Sequence, residues 1–403
     1  MSGNDFLAGL IREKAREFES EIISVRRAIH ENPELAHEEY ETAALIAESL
    51  EKHGIEVARG VGGTGVVGRI QPELQGKKTV AIRGDMDALS IQEETGLKFA
   101  SKNPGKMHAC GHDANSAMAF GAGLILNSKE VRESLNGNVR LLFQPAEEAP
   151  PGGALGMIKD GALSNPEVGA IIGSHTYNEA NLGEIVFREG AMLASADNFE
   201  LTILGRAAHG AMPHQGRDAI VASAEVILGY QRIVSRQVAP TEPAVITIGT
   251  ISGGDRTNVI ASNVKMAGTV RTLDMNIQQT IEKAMHETAD GITKSAGLSY
   301  ELDYQKGYPT LMIDPGLKKL VQKAIAEFDG DCRFVEMPVP MMGGEDFAYY
   351  THKIPGLFMF LGVVSDKNPK YPMHHPKYNI DERVLAIGAS TLAYAAARIL
   401  AEF

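Results

Sequence analysis

Hydrophobic and polar positions repeat along this chain with two different periods, and the switches between them outline its elements. Over 5–29 and 38–53, Ile, Leu and Val recur every three to four residues with charges opposite them. That spacing predicts two amphipathic helices, parted by the turn Asn32-Pro33. Short apolar runs of strand length follow at 65–69, 79–83, 139–143, 170–173 and 357–362. Between them, stretches such as 116–126 read as helix, rich in small residues suited to close packing. Strands alternating with helices predict an α/β fold: a mostly parallel sheet covered by helices.

The middle of the chain has a different rhythm. Residues 199–204 alternate as a half-buried strand does, 218–235 are helical, and 244–251 and 265–272 are strands. A helix at 277–294 and a strand at 299–304 complete a β-α-β-β-α-β series, the ferredoxin-like split pattern. The expected organisation is a catalytic domain in two parts, 1–188 and 306–403, interrupted by an inserted domain at 189–305. A length of 403 residues agrees, because it exceeds what one hydrophobic core usually supports.

Composition narrows the function classes. A net charge of −12 argues against a nucleic-acid partner, which would require a basic face. The two cysteines, Cys110 and Cys332, make no disulfide framework and suit a reducing compartment. The start Met1-Ser-Gly-Asn-Asp-Phe-Leu lacks the features of a secretory signal, and apolar runs such as 356–364 are about half a membrane span. The expectation is a cytoplasmic protein with no membrane partner.

Candidate chemistry gathers where the apolar runs end. Cys110 and His112 flank a glycine in Met107-His-Ala-Cys-Gly-His-Asp113; Glu147 and Glu148 follow the run 139–143; His175 follows 170–173; His374 begins His374-His-Pro376. Taken singly each has an ordinary explanation: a small buried hydrophobe for Cys110, a solvated pair for the glutamates, a hydrogen-bonded core residue for a histidine. Together they fit a metal centre, since ligands in open α/β sheets collect beyond the carboxyl ends of the strands. One of the paired carboxylates can bind metal while the other takes a proton from water. Asp85 and Asp87 end the run 79–83 and are either ligands or acceptors that fix a ligand histidine. Mixed N, O and S donors suit zinc, nickel, cobalt or manganese, and five ligands are enough for two ions. Neither zinc-finger spacing nor a His-Glu-x-x-His helix occurs.

At these residues the chain resembles the M20 family of metallopeptidases and amidohydrolases, within it the N-acyl-amino-acid, hippurate and auxin-conjugate hydrolases. The resemblance runs nearly end to end. It includes His30-Glu-Asn-Pro-Glu-Leu35, Gly84-Asp-Met-Asp-Ala-Leu89, Met107–Asp113, Gln144–Glu148, His209-Gly-Ala-Met-Pro-His214, Asn258-Val-Ile260, Gly268-Thr-Val-Arg271, Gly343-Gly-Glu-Asp-Phe347 and Met373–Pro376. It implies Cys110, His112, Glu148, His175 and His374 as ligands of two divalent ions, and Glu147 as catalytic base. It implies an inserted domain that caps the site and forms a homodimer or homotetramer, with His209 stabilising the oxyanion in the partner's site. Asn258 and Arg271 would hold the substrate carboxylate; for Arg271 a structural ion pair is the competing reading. The implied reaction is hydrolysis of the amide of an N-acyl amino acid, with a carboxypeptidase or dipeptidase as the alternative. The chain departs from the pattern at Asn115, where relatives carry histidine, at Ala261-Ser262, and at Thr176–Glu179; these departures bear on substrate choice.

Overall fold

A computed structural model describes residues 3–71, 74, 77–328, 331–368 and 370–403. The chain divides into two compact units. The first comprises Met1–Gly190, Met312–Val339 and Asp346–Phe403; the second comprises Ala191–Leu311 and Pro340–Glu345.

The first unit is built on an eight-stranded sheet. Its order is Glu56–Arg59, Val66–Ile70, Gly137–Gln144, Lys78–Asp85, Ala170–Asn181, Gly356–Val364, Glu184–Phe187 and Arg333–Glu336. The central strands Gly137–Gln144, Lys78–Asp85, Ala170–Asn181 and Gly356–Val364 run parallel, and antiparallel neighbours flank them. Near-continuous burial of these central strands is what a parallel sheet covered on both faces requires. Helix Gly3–Glu31 buries Ala8, Ile11, Ala15, Ile22, Val25 and Ile29, one stripe at helical spacing. That stripe approaches helix His112–Asn127 closely: a Cβ on Gly121 would lie 2.5 Å from Ile22 Cδ1. The closing helix Arg383–Glu402, outside the segments that periodicity singled out, is apolar enough to cross a membrane by composition. Yet 83% of its most apolar window is buried in the protein, as befits a core helix.

Two expectations about local structure are corrected. The strand predicted at 170–173 continues to Asn181, because Gly356–Val364 keeps pairing with it, Phe360 opposite His175 and Leu361 opposite Thr176. His175 therefore lies within a strand rather than past its end. The helix predicted at 116–126 starts at His112, so His112 stands in a helical first turn and not in a loop.

The second unit has the β-α-β-β-α-β order, with strands Ala196–Leu204, Ala244–Gly253, Asn263–Thr272 and Ser299–Tyr308. In space they run Ser299–Tyr308, Ala196–Leu204, Asn263–Thr272, Ala244–Gly253, with every neighbouring pair antiparallel. Helices Ala219–Arg236 and Met275–Ala296 are capped by Asp218 and Asp274, whose carboxylates accept the first free amides. Phe199, Leu201 and Ile203 alternate inward against Val226, Tyr230, Ile233, Ile281 and Met285, forming a core of its own.

Candidate metal centre

Three segments of the first unit reach the carboxyl ends of its parallel strands, and a fourth comes from the far end of the chain. Gly111 makes the turn between Cys110 and His112 possible. Its φ of 94° is left-handed, and a Cβ there would lie 2.2 Å from Thr176 Oγ1. Helix His112–Asn127 begins at once, aiming His112 back over the sheet. His374, itself left-handed with φ 65°, is tied in by its amide, which donates to the Ala109 carbonyl at 2.8 Å.

Donor atoms of Cys110, His112 and His175 lie within 4.8 Å of one another. So do those of Cys110, Glu148 and His374, and those of His112, Glu147 and Glu148. Cys110 Sγ is 3.4 Å from His175 Nε2, and His374 Nε2 is 3.3 Å from Glu148 Oε1. All five sequence-predicted ligands and Glu147 thus occupy one cluster. Cys110, His112, Glu147 and His175 are buried, whereas the His374 side chain is 52% exposed.

The histidines are oriented from behind. His112 Nδ1 faces the Asp87 carbonyl oxygen at 2.8 Å and its carboxylate at 3.2 Å, and His175 Nδ1 faces the Thr176 carbonyl oxygen at 2.8 Å. These bonds fix the tautomer in which each Nε2 carries the lone pair toward the cluster. His112 Nε2 is buried and has no hydrogen-bond partner among the described residues, an arrangement that costs stability unless something occupies its lone pair. One sulfur, three nitrogens and a carboxylate oxygen around an orphaned imidazole nitrogen fit a divalent ion of the zinc, nickel, cobalt or manganese kind. Burial, with Glu148 adding to it, pushes the Cys110 thiol well above its usual range, so ligation requires a cation to displace the proton.

Asp85 and Asp87 resolve into bracing roles. Asp87 Oδ1 accepts from the Glu147 amide (3.0 Å) and from His112, and its Oδ2 accepts from the Glu148 amide (2.9 Å). Asp85 is bound by Arg83 and by Asn115 Nδ2 at 2.9 Å, and lies 3.9 Å from His112 Nε2. Burial would raise its pKa, but His112 and Arg83 together bring it down to about 2. Asn115, the departure noted in the sequence, uses its other end to accept the Thr176 amide at 3.0 Å. Asp113 turns away from the cluster, to Arg26 Nε at 2.8 Å and His30 Nδ1 at 2.7 Å.

The remaining candidates belong to the second unit. His209 and Asn258 sit on adjoining exposed loops, joined by the Gly210 amide to the Asn258 carbonyl at 2.8 Å. Arg271 is half-buried on strand Asn263–Thr272, where burial lowers the pKa of its guanidinium and the nearby Asp197 and Tyr308 oppose that.

Comparison with known proteins agrees with this arrangement. Residues 81–398 match Peptidase family M20/M25/M40. The chain is 38% identical to the N-acetyl-L-cysteine deacetylase of Bacillus subtilis strain 168, over 99% of this chain and 93% of that protein. It is also 38% identical to thermostable carboxypeptidase 1 of Saccharolobus solfataricus, over 94% and 95% respectively. The solved structure of the Bacillus subtilis YXEP protein, described as a dinuclear metal binding peptidase from the M20 family, matches with a TM-score of 0.84. That likeness comes at 34% identity and covers 96% of this chain and 100% of the other. From its fold, its clustered donors and these matches, the chain is a member of peptidase family M20/M25/M40.

Proposed function

We propose that the chain is a metal-dependent amidohydrolase that cleaves the amide bond of N-acyl amino acids into a carboxylic acid and an amino acid. The observation that carries this reading is the gathering of Cys110, His112, Glu148, His175 and His374 beside a second carboxylate, Glu147. The five serve as ligands of two divalent ions, drawn from zinc, nickel, cobalt and manganese. Bound there, such ions supply Lewis acidity toward the acyl carbonyl and make water a better acid.

The protein's own groups divide the remaining work. Glu147, held by Asp87 through its amide, takes the proton of the attacking water and returns it to the leaving amine. His209 donates to the oxyanion, and Asn258 and Arg271 bind the substrate carboxylate; a guanidinium is well suited to a carboxylate fork. His209 acts from the partner subunit of a homodimer, or of a homotetramer built from such dimers. Support for an assembly comes from the second unit: Ala244–Gly253 is an edge strand, and Ile251, Ile220 and Leu228 stand exposed on it and on helix Ala219–Arg236. A cytoplasmic location follows from the need to keep Cys110 reduced.

A second reading, a carboxypeptidase or dipeptidase using the same centre, is favoured by the likeness to a thermostable carboxypeptidase. The deciding experiment strips the protein of metal, restores each of the four ions in turn, and assays N-acetyl and N-benzoyl amino acids against dipeptides and longer peptides. Turnover of acyl amino acids with little peptide cleavage is expected. Cleavage of peptides alone would replace the first reading by the second.

A further inference from the structure

Glu39 stands outside every motif that the sequence singles out. It lies just before helix Tyr40–Lys52 and is fully buried. Among the described residues no Lys, Arg or His pairs with it, although buried carboxylates ordinarily have such a partner. Glu39 accepts instead from three neutral donors. Its Oε1 takes the amide of His37 at 2.9 Å and the amide of Ala146 at 2.8 Å, and its Oε2 takes the Thr64 hydroxyl. Both amides belong to non-glycine residues with left-handed backbones, φ 67° at His37 and 54° at Ala146, a conformation L-residues keep only when their surroundings enforce it.

Ala146 immediately precedes Glu147. The amides of Ala146, Glu147 and Glu148 therefore end, one after another, on two buried carboxylates: Glu39, then the two oxygens of Asp87. Of the three residues only Ala146 is left-handed, and its amide is the one that ends on Glu39.

We propose that Glu39 is a positioning residue for Glu147, holding the left-handed turn at Ala146 from which Glu147 and Glu148 diverge to base and ligand. The inference rests on the reading of Glu147 as the base and extends the machinery of the site to the first helical hairpin of the chain.

The test uses the full-length, metal-reloaded enzyme and the acyl-amino-acid assay. Glu39→Ala is expected to lose about 100-fold in kcat with KM nearly unchanged, the scale of an ångström of misplacement. Glu39→Gln keeps a carbonyl oxygen with two lone pairs for both amides and is expected to stay within about fivefold of the parent. Adding Ala146→Gly to Glu39→Ala is expected to recover about tenfold, because glycine enters the left-handed region freely. Amide exchange of the segment 144–148, followed by mass spectrometry on the metal-free protein, is expected to quicken in Glu39→Ala and not in Glu39→Gln. If Glu39→Ala does not fold, Glu39→Asp withdraws the oxygen by one methylene while keeping the charge, and is expected to lose about tenfold in kcat. Parental kcat in folded Glu39→Ala or Glu39→Asp, or a loss that Ala146→Gly leaves untouched, overturns the role of Glu39. Glu147→Gln serves as the control: if it turns over at the parental rate, the assignment of the base fails; if it is inactive while folded Glu39→Ala keeps the parental kcat, only the present inference fails.

Discussion

At the carboxyl ends of the large sheet, four of the five candidate ligands are buried or nearly so; His112 and His175 are held from behind by Asp87 and the Thr176 carbonyl, and the amides of Glu147 and Glu148 donate to Asp87. On the ferredoxin-like unit, His209 and Asn258 lie on exposed loops and Arg271 is half-buried on its strand. In the first region the protein's own hydrogen bonds hold the candidate ligands in place. The second carries its candidate groups on exposed loops and at a half-buried strand position. Metal binding is thus expected to be a property of one unit, and oxyanion and carboxylate recognition a property of assembly.

The largest effect should follow loss of the base. Glu147→Gln is expected to lower kcat by about 10²–10⁴ with the metal content, read by elemental analysis, unchanged. His209→Ala is expected to cost about 10²–10³ in kcat, the usual worth of one oxyanion donor, with melting temperature and metal content left alone because the residue is exposed. A fall in metal content in His209→Ala would break the contrast between the two regions. Asp87→Asn strikes the first region itself and should weaken metal binding by about 10–100-fold in a competition titration with a chromophoric chelator.

Gly111→Ala sharpens the same point on stability. With φ at 94° and the Thr176 hydroxyl in the path of a Cβ, about 1–3 kcal/mol of destabilisation is expected in urea unfolding of the metal-free protein. The smallest effect is an acid titration. In the first unit Arg383 and Ser365 hold the Asp381 carboxyl below its usual range, so its stabilisation is present above about pH 4 and is lost as pH falls further. In the second unit burial raises Asp197 despite bonds from Tyr304, Gly307 and Gln278, so its ionisation opposes folding above about pH 4 and acid removes that cost. Hydrogen exchange at pH 4.5 and pH 3 should show protection falling in the first unit sooner than in the second; the opposite order would refute this assignment.

The long periodic elements were legible because their signal is local: a buried stripe at helical spacing, or alternation along a strand. The candidate donors were legible for the same reason, since Cys, His and Glu at the ends of apolar runs are unusual residues in telling places. His175 was misplaced relative to its strand because Ser-His-Thr-Tyr-Asn carries no apolar run, and only pairing with Gly356–Val364 keeps it extended. Glu39 was missed altogether: within His37-Glu-Glu39 it reads as one more solvated charge, and its amide partner lies 107 residues away. Asn115 was noticed as a departure, but its two-ended bond between Asp85 and Thr176 had no sequence signature.

The sequence by itself determined those helices and strands that periodicity marks and the donor atoms on offer, since periodicity and residue chemistry are properties of neighbours in the chain. Tertiary structure alone decided that Asp87 would brace rather than bind, that Asp113 would turn toward Arg26, and that Ala146 would be held left-handed. Those outcomes depend on which polar groups meet inside the fold, and buried hydrogen bonds choose their partners by position in space, whatever the distance along the chain.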